Sequence, residues 1–179
     1  MATKVAINGF GRIGRLVARA ILGRNQHDLE LVASNDLAAA KSNALLFKRD
    51  SVHGAFPGTV EADGNDIIVN GKRIHVTAER DPANLPHGAN GVDIALECTG
   101  FFTDRDSAGK HLAAGAKRVL ISAPAKNVDK TIVYGVNHGV LTSDDKIVSN
   151  ASCTRLSPKA GAGSTTIRFS SRMPNAPSR

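Results

Sequence analysis

Three glycines near the start, Gly9, Gly11 and Gly14, are spaced G-x-G-x-x-G and constrain the fold more than any other stretch. Before them, Lys4-Val5-Ala6-Ile7-Asn8 is a short apolar run that reads as a buried strand. After them, Ile13, Leu16, Val17, Ala20 and Ile21 recur at helical spacing. Strand, glycine turn and helix, in that order, is the context in which such glycines bind a dinucleotide. Gly9 lets the chain turn off the strand, Gly11 lets a pyrophosphate approach the backbone, and Gly14 lets the helix lie close on the sheet. The helix start, with free N–H groups and a positive dipole end, attracts phosphate.

A second strand, Leu29-Glu30-Leu31-Val32-Ala33-Ser34, follows and ends in Asn35-Asp36. An acidic residue about 20 positions past the glycines is expected on the adenosine ribose. A carboxylate there repels a 2′-phosphate, so the expected cofactor is NAD rather than NADP. The alternative is a plain glycine turn, with Asp36 as a strand-end cap.

Further on, Leu37 to Phe47 predicts a short helix, and Asp50 to Gly58 a loop. Thr59 to Ala62, Asp66 to Val69 and Ile74 to Thr77 read as strands, with Asn70-Gly71 as a hairpin turn between the last two. That meander predicts an antiparallel insertion on an otherwise parallel sheet. Strands over Val92 to Cys98, Arg118 to Ser122, Thr131 to Tyr134 and Lys146 to Asn150 follow. A helix capped by Thr103 or Asp104 runs to Ala114, where Gly115 stops it. The fold class is therefore α/β, a doubly wound Rossmann-type, mostly parallel sheet. Ligands of such sheets sit beyond the carboxyl ends of strands. Three of those ends carry Gly9-Phe10-Gly11, Asn35-Asp36 and Thr99-Gly100, the candidate cofactor-binding residues.

Composition narrows the setting. With 179 residues, 41% of them apolar, there is room for one domain with an aliphatic core and possibly an appendage. No run of about 18 apolar residues predicts a membrane span, and the N-terminus has no charged-then-apolar leader. Two cysteines, Cys98 and Cys153, make no disulfide framework, so a reducing, cytoplasmic location is expected. No metal site is expected. The formal charge of +7 is unevenly placed: residues 1–154 hold 18 Lys and Arg against 16 acids. The remaining cations, Arg155, Lys159, Arg168, Arg172 and Arg179, fall in the acid-free last 25 residues. With Phe169 as their one aromatic, these support nonspecific attraction to RNA or phosphate at most.

The chemistry-bearing stretch is Ser149-Asn150-Ala151-Ser152-Cys153-Thr154. A helix starting there would stabilise a Cys153 thiolate. A thiolate adds to an aldehyde as a thiohemiacetal, and loss of hydride leaves a thioester. By spacing alone, a lone Cys at a strand end such as Cys153 is more often a small buried apolar residue, and Cys98 is read that way.

Residues 1–154 resemble the N-terminal half of the NAD-dependent glyceraldehyde-3-phosphate dehydrogenases. The likeness rests on Val5 to Arg15, Asp50-Ser51-Val52-His53-Gly54, Glu97-Cys98-Thr99-Gly100-Phe101-Phe102, Gly135-Val136-Asn137-His138 and Ser149 to Thr154. The sister erythrose-4-phosphate dehydrogenases share much of this. Phe101-Phe102-Thr103 and Asp50 to His53 favour the glyceraldehyde enzymes. The resemblance implies a glycolytic oxidation and phosphorylation of glyceraldehyde 3-phosphate by a homotetramer. It implies Arg12 and Ile13 against the pyrophosphate, Asp36 on the adenosine ribose and Arg80 near the adenine. Thr99 and Gly100 would line the crevice, and Ser122 would lie near the nicotinamide ribose. Cys153 would be the catalytic nucleophile, with Ser152 and Thr154 on substrate phosphate or oxyanion. His53 and His138 receive no catalytic part.

After Thr154 the resemblance stops. The family continues into a long helix and a catalytic domain with its histidine base and phosphate-binding arginines. Residues 155–179 are instead rich in Gly, Ser, Pro and Arg without period, and read as a disordered tail. An out-of-frame ending is expected, with a genuine basic tail as the alternative. The expected consequence is weak NAD binding without turnover. A second functional class, a non-catalytic nucleotide- or RNA-binding fragment using that tail, stays open.

Overall fold

A computed structural model of the chain describes residues 2–23 and 28–150. The expected tail and the Ser152-Cys153-Thr154 segment lie outside the described residues. The element order is β1 (Thr3–Asn8), α1 (Arg12–Gly23), β2 (Leu29–Asn35), α2 (Ala40–Lys48), β3 (Arg49–Asp50), β4 (Gly54–Ala55), β5 (Val60–Asp63), β6 (Asp66–Val69) and β7 (Lys72–Thr77). A 3-10 turn at Pro82–Asn84 leads to β8 (Ile94–Glu97), α3 (Arg105–Ala113), β9 (Arg118–Ile121), β10 (Lys130–Ile132), a 3-10 turn at His138–Val140, and β11 (Ile147–Asn150).

Among the described residues, nine strands form one sheet in the order β10-β11-β9-β8-β1-β2-β7-β6-β5. Neighbours from β10 to β7 are parallel. Strands β6 and β5 are antiparallel to their neighbours. The antiparallel insertion is thus at one edge, where the meander delivers β7 parallel to β2 without a helical crossover. Its tight turn has Asn70 at φ 51 and Gly71 at φ 78, the left-handed pair that matches strand twist.

Helices cover both faces. On one, α1 and α2 pack on Val5, Ile7, Leu31, Ile67 and Ile74. Phe47 of α2 stacks on Phe10 with ring centroids 6.0 Å apart and meets Phe56 at 5.0 Å. Burying one such side chain contributes about 1.5–3 kcal/mol. On the other face, α3 covers Val119, Ile121 and Ile147 through Ala108. The side chain of Asp104 caps α3 by accepting from the amides of Asp106 and Ser107. Asp104→Ala should lower stability by about 1 kcal/mol in a urea titration.

Two local expectations needed correction. The segment Asp50 to Gly58 is no plain loop, because β3 and β4 pair in it as a short hairpin. The Asp50 carboxylate accepts from the amides of Val52 and His53 and folds the chain back. Those two N–H groups, His53 first, hold its carboxyl far below the usual range. The second helix starts at Ala40 rather than Leu37, since Asp36 takes the Ala38 amide and Ala39 is extended.

Candidate functional site

The carboxyl ends of β1, β2 and β8 diverge around a cleft of about 410 Å³. Gly9, Gly11, Asp36, Arg80, Thr99 and Phe101 are among its lining residues. It lies where the strand order turns away on both sides of β1, the place an open α/β sheet offers a ligand.

The glycines divide the work of building it. Gly9 has φ +90, and a Cβ there would lie 2.7 Å from the amide nitrogen of Thr99. A Cβ at Gly14 would lie 2.1 Å from the carbonyl oxygen of Gly9, so α1 can sit this low on the sheet only without a side chain there. Gly11 differs, because a Cβ there would meet nothing within 4 Å. Its carbonyl accepts the first helical N–H, from Arg15, at 3.0 Å. The amides after it open the first turn of α1, where N–H groups have no intrahelical partner. An open cradle beside those donors fits a pyrophosphate.

The turn after β1 is held from both sides. Gly9 N–H donates to the Asn35 carbonyl at 2.9 Å, and Cys98 N–H to the Asn8 carbonyl at 2.7 Å. Phe10 N–H donates to Asp36 Oδ2 at 2.8 Å, and Ala38 N–H to Oδ1 at 2.9 Å. Asp36 therefore does cap the strand end. Each carboxylate oxygen keeps a second lone pair, so capping leaves room for ribose hydroxyls.

The other expected residues divide. Arg80 and Thr99 line the cleft with Gly9, Gly11, Asn35 and Asp36. Gly100 follows Thr99 at φ +79, in the turn of that wall. Phe10 joins the loop through its backbone alone; its side chain is 1% exposed, in the core. Arg12 and Ile13 begin α1, with Ile13 exposed and Arg12 3.7 Å from Asp50 Oδ2. The Asn35 side chain is wholly engaged inside the protein, donating to Asn8 and Glu79 and accepting from Thr77 and Glu79. Ser122 stands beside the Cys98 side chain. Burial pushes the Cys98 thiol up to about 11, with Glu97 adding and Ser122 opposing, so it is a poor nucleophile at neutral pH.

One feature escaped the sequence. Thr77, Asn35, Asn8 and Glu97 end β7, β2, β1 and β8, and register places them in one row across the sheet. They form a chain of hydrogen bonds under the cleft, continued by Glu97 to His111 of α3 at 3.0 Å and by His111 to His87 at 3.0 Å. Four polar strand ends were visible in the sequence, but their mutual contact depends on register.

Comparison with known proteins bears on the same region. Residues 3–105 match the family model described as glyceraldehyde 3-phosphate dehydrogenase, NAD binding domain. The chain is 69% identical over 155 residues to a glyceraldehyde-3-phosphate dehydrogenase of Zymomonas mobilis, covering 86% of this chain and 46% of that protein. It is 62% identical over 154 residues to the Xanthobacter flavus protein of that name, with the same coverage of 86% and 46%. It is 56% identical over 155 residues to glyceraldehyde-3-phosphate dehydrogenase 1 of Bacillus subtilis, again covering 86% and 46%. The chain thus spans about half the length of the curated relatives it matches. Among the described residues, no helix is long and apolar enough to cross a membrane.

Proposed function

Because the chain belongs to the glyceraldehyde-3-phosphate dehydrogenase family, with residues 3–105 matching its NAD-binding domain, we propose that it binds NAD in the cleft between Gly9 and Thr99. The observation that carries this reading is the open cradle over Gly11 at the start of α1, with the Asp36 carboxylate on the same rim. In it the pyrophosphate lies over Gly11 and the amides of Arg12 and Ile13. Asp36 accepts from the adenosine ribose and Arg80 lies toward the adenine, with Thr99 and Gly100 as the opposite wall. Ser122 stands toward the nicotinamide ribose.

In the family's chemistry, Cys153 is the nucleophile that adds to the aldehyde carbon of glyceraldehyde 3-phosphate and carries the thioester. Ser152 and Thr154 hold the substrate phosphate or the oxyanion. NAD, when bound, supplies the hydride acceptor. No histidine follows His138 in these 179 residues, and the family's base is a histidine. We infer that they bind NAD in the cytoplasm without completing the oxidation on their own. Turnover by the purified chain, free of any longer enzyme, would overturn that inference.

Thermal unfolding with and without cofactor tests the binding. NAD at about a hundred times its Kd should stabilise the chain by about 2.7 kcal/mol. Asp36→Ala should abolish that increment, while NADP gives little to the parent chain. The increment is the readout, because the substitution also removes the acceptor of the Phe10 and Ala38 amides. A parent chain that NAD does not stabilise would refute the reading. The acid-free run of cations in residues 155–179 favours one second reading, an RNA-binding fragment. Salt-sensitive RNA affinity lost on deleting those residues would support it.

A further inference from the structure

We propose that Glu97 is a positioning residue of the cleft, an acceptor-only hub that sets the Thr99–Phe101 wall and seats the Gly9 turn against it. The inference rests on the NAD reading for its ligand, but its geometry stands apart from it.

The polarity of the buried row is determined from both ends by backbone N–H groups, which can only donate. At one end, Glu79 N–H donates to Asn35 Oδ1 at 2.8 Å. Asn35 must then turn Nδ2 the other way, toward the Glu79 carbonyl at 2.8 Å and Asn8 Oδ1 at 2.7 Å. Asn8 in turn presents Nδ2 to Glu97 Oε2 at 2.6 Å. At the other end, Phe101 N–H donates to Thr99 Oγ1 at 3.1 Å, which leaves the Thr99 hydroxyl proton for Glu97 Oε1. That oxygen also accepts the Thr99 amide at 2.8 Å. His111 Nε2, 3.0 Å from Oε2, supplies the remaining contact.

Four donors therefore converge on the two oxygens of a side chain that is 1% exposed. A carboxylate matches them with its lone pairs; an amide of the same shape sets a donor against a donor. Two of the four donors belong to Thr99, so Glu97 determines where the wall's backbone lies. The same wall sets the space beside Gly9, whose missing Cβ would stand 2.7 Å from the Thr99 amide nitrogen. A few tenths of an ångström at Thr99 thus reach both sides of the cleft.

A swap of polarity tests this in the full chain. Amide exchange at Thr99 is followed by NMR, and NAD binding by calorimetry. Glu97→Gln should speed exchange at Thr99 and weaken NAD binding, each by at least about tenfold, since its NH2 faces a donor in either orientation, the Thr99 amide or the Asn8 amide, and the repulsion displaces the side chain from Thr99. Adding Asn8→Asp should restore both to within about threefold of the parent, because the new carboxylate at position 8 accepts from the new amide at position 97. His111 meets that amide through its other tautomer, with Nε2 as acceptor and Nδ1–H directed to His87. A residue important only for bulk would not be rescued this way.

Unchanged Thr99 exchange in Glu97→Gln, or a double variant no better than the single one, overturns the proposal. If Glu97→Gln does not fold, Thr99→Val and Thr99→Ser replace it. Faster exchange at position 99 in the valine than in the serine variant is expected, and equal rates overturn the proposal. A parent chain with a protected Thr99 amide that takes up no NAD refutes the cofactor reading, while the exchange rates still decide the role of Glu97.

Discussion

Gly14→Ala should remove a large share of the stability of the domain, while Gly11→Ala should leave the fold in place and close the cleft. The two glycines stand three residues apart, and the substitution adds the same methyl group. At position 14 that methyl would lie 2.1 Å from the Gly9 carbonyl oxygen and 3.0 Å from Ile7 Cγ2. Neither neighbour can give: one is backbone in the glycine turn, the other a fully buried strand residue. The helix must lift off β1, and overpacking of this kind costs about 3 kcal/mol or more. That is a large share of the roughly 5–15 kcal/mol that a domain has. At position 11 the methyl meets no protein atom within 4 Å, and the loss is that of a poorer helix cap, about 1 kcal/mol or less. The methyl instead takes the space assigned to the pyrophosphate, so NAD affinity should fall at least about tenfold. Urea denaturation gives the stability of each variant, and calorimetry the affinity. Equal stability of the two variants would contradict the close seat of α1. Undiminished NAD binding by Gly11→Ala would contradict the location of the pyrophosphate.

Mild acid is the second large effect. His87 is 3% exposed and lies against His111. Burial first, and the neighbouring imidazole second, lower its pKa from 6.5 to about 4. The unfolded chain therefore takes up a proton that the folded chain refuses. Stability from this group is complete above about pH 6.5 and is lost as pH falls toward 4, by about 1.4 kcal/mol per unit and about 3 kcal/mol in all. The carboxylates of Asp66, Asp81, Asp93, Asp104 and Asp145, all lowered from 3.8 by their hydrogen-bond donors, add their own loss only below about pH 4. Urea midpoints measured between pH 7.5 and 4.5 should fall steeply for the parent chain. They should fall less for His87→Gln, which keeps a partner for His111 but takes up no proton. Parallel slopes for the two chains would show that His87 is not the group responsible.

The parts of this molecule that read well from sequence are those whose cause is local. Asn70-Gly71 makes its turn because two adjacent residues tolerate positive φ, and Asp104 caps α3 through amides two and three residues away. Gly9, Gly11 and Asp36 are legible as neighbours at one cleft because the spacing of such glycines and the acid after the next strand carry a stereochemical meaning. Phe10 shows the limit. It lies within the glycine turn, where the sequence groups it with the site, yet its side chain turns into the core to stack on Phe47. Whether a loop residue faces a ligand or the interior depends on α2, which lies far along the chain. Glu97, His111 and His87 show the limit more strongly. Each is an ordinary polar residue in sequence, and together they are a buried network only because β8 lies beside β1 and α3 covers that face. His53 and His138, left without a catalytic part, were histidines of the same plain appearance; nothing local distinguishes them from the buried pair.

The central place of β1 also has a consequence in time. One wall of its cleft comes from β2, reached through a contact 26 residues along the chain, Phe10 to Asp36. The other comes from β8, reached through a contact 89 residues along, Asn8 to Glu97. During synthesis the first strand, its helix and the meander can associate while β8 is still unmade. Until Glu97 arrives, the Asn8 amide has no protein acceptor, and the glycine turn is held from the β2 side alone. The nascent chain therefore carries an open sheet edge along β1 until β8 is made, and the cleft gains its second wall only at the step that closes that edge.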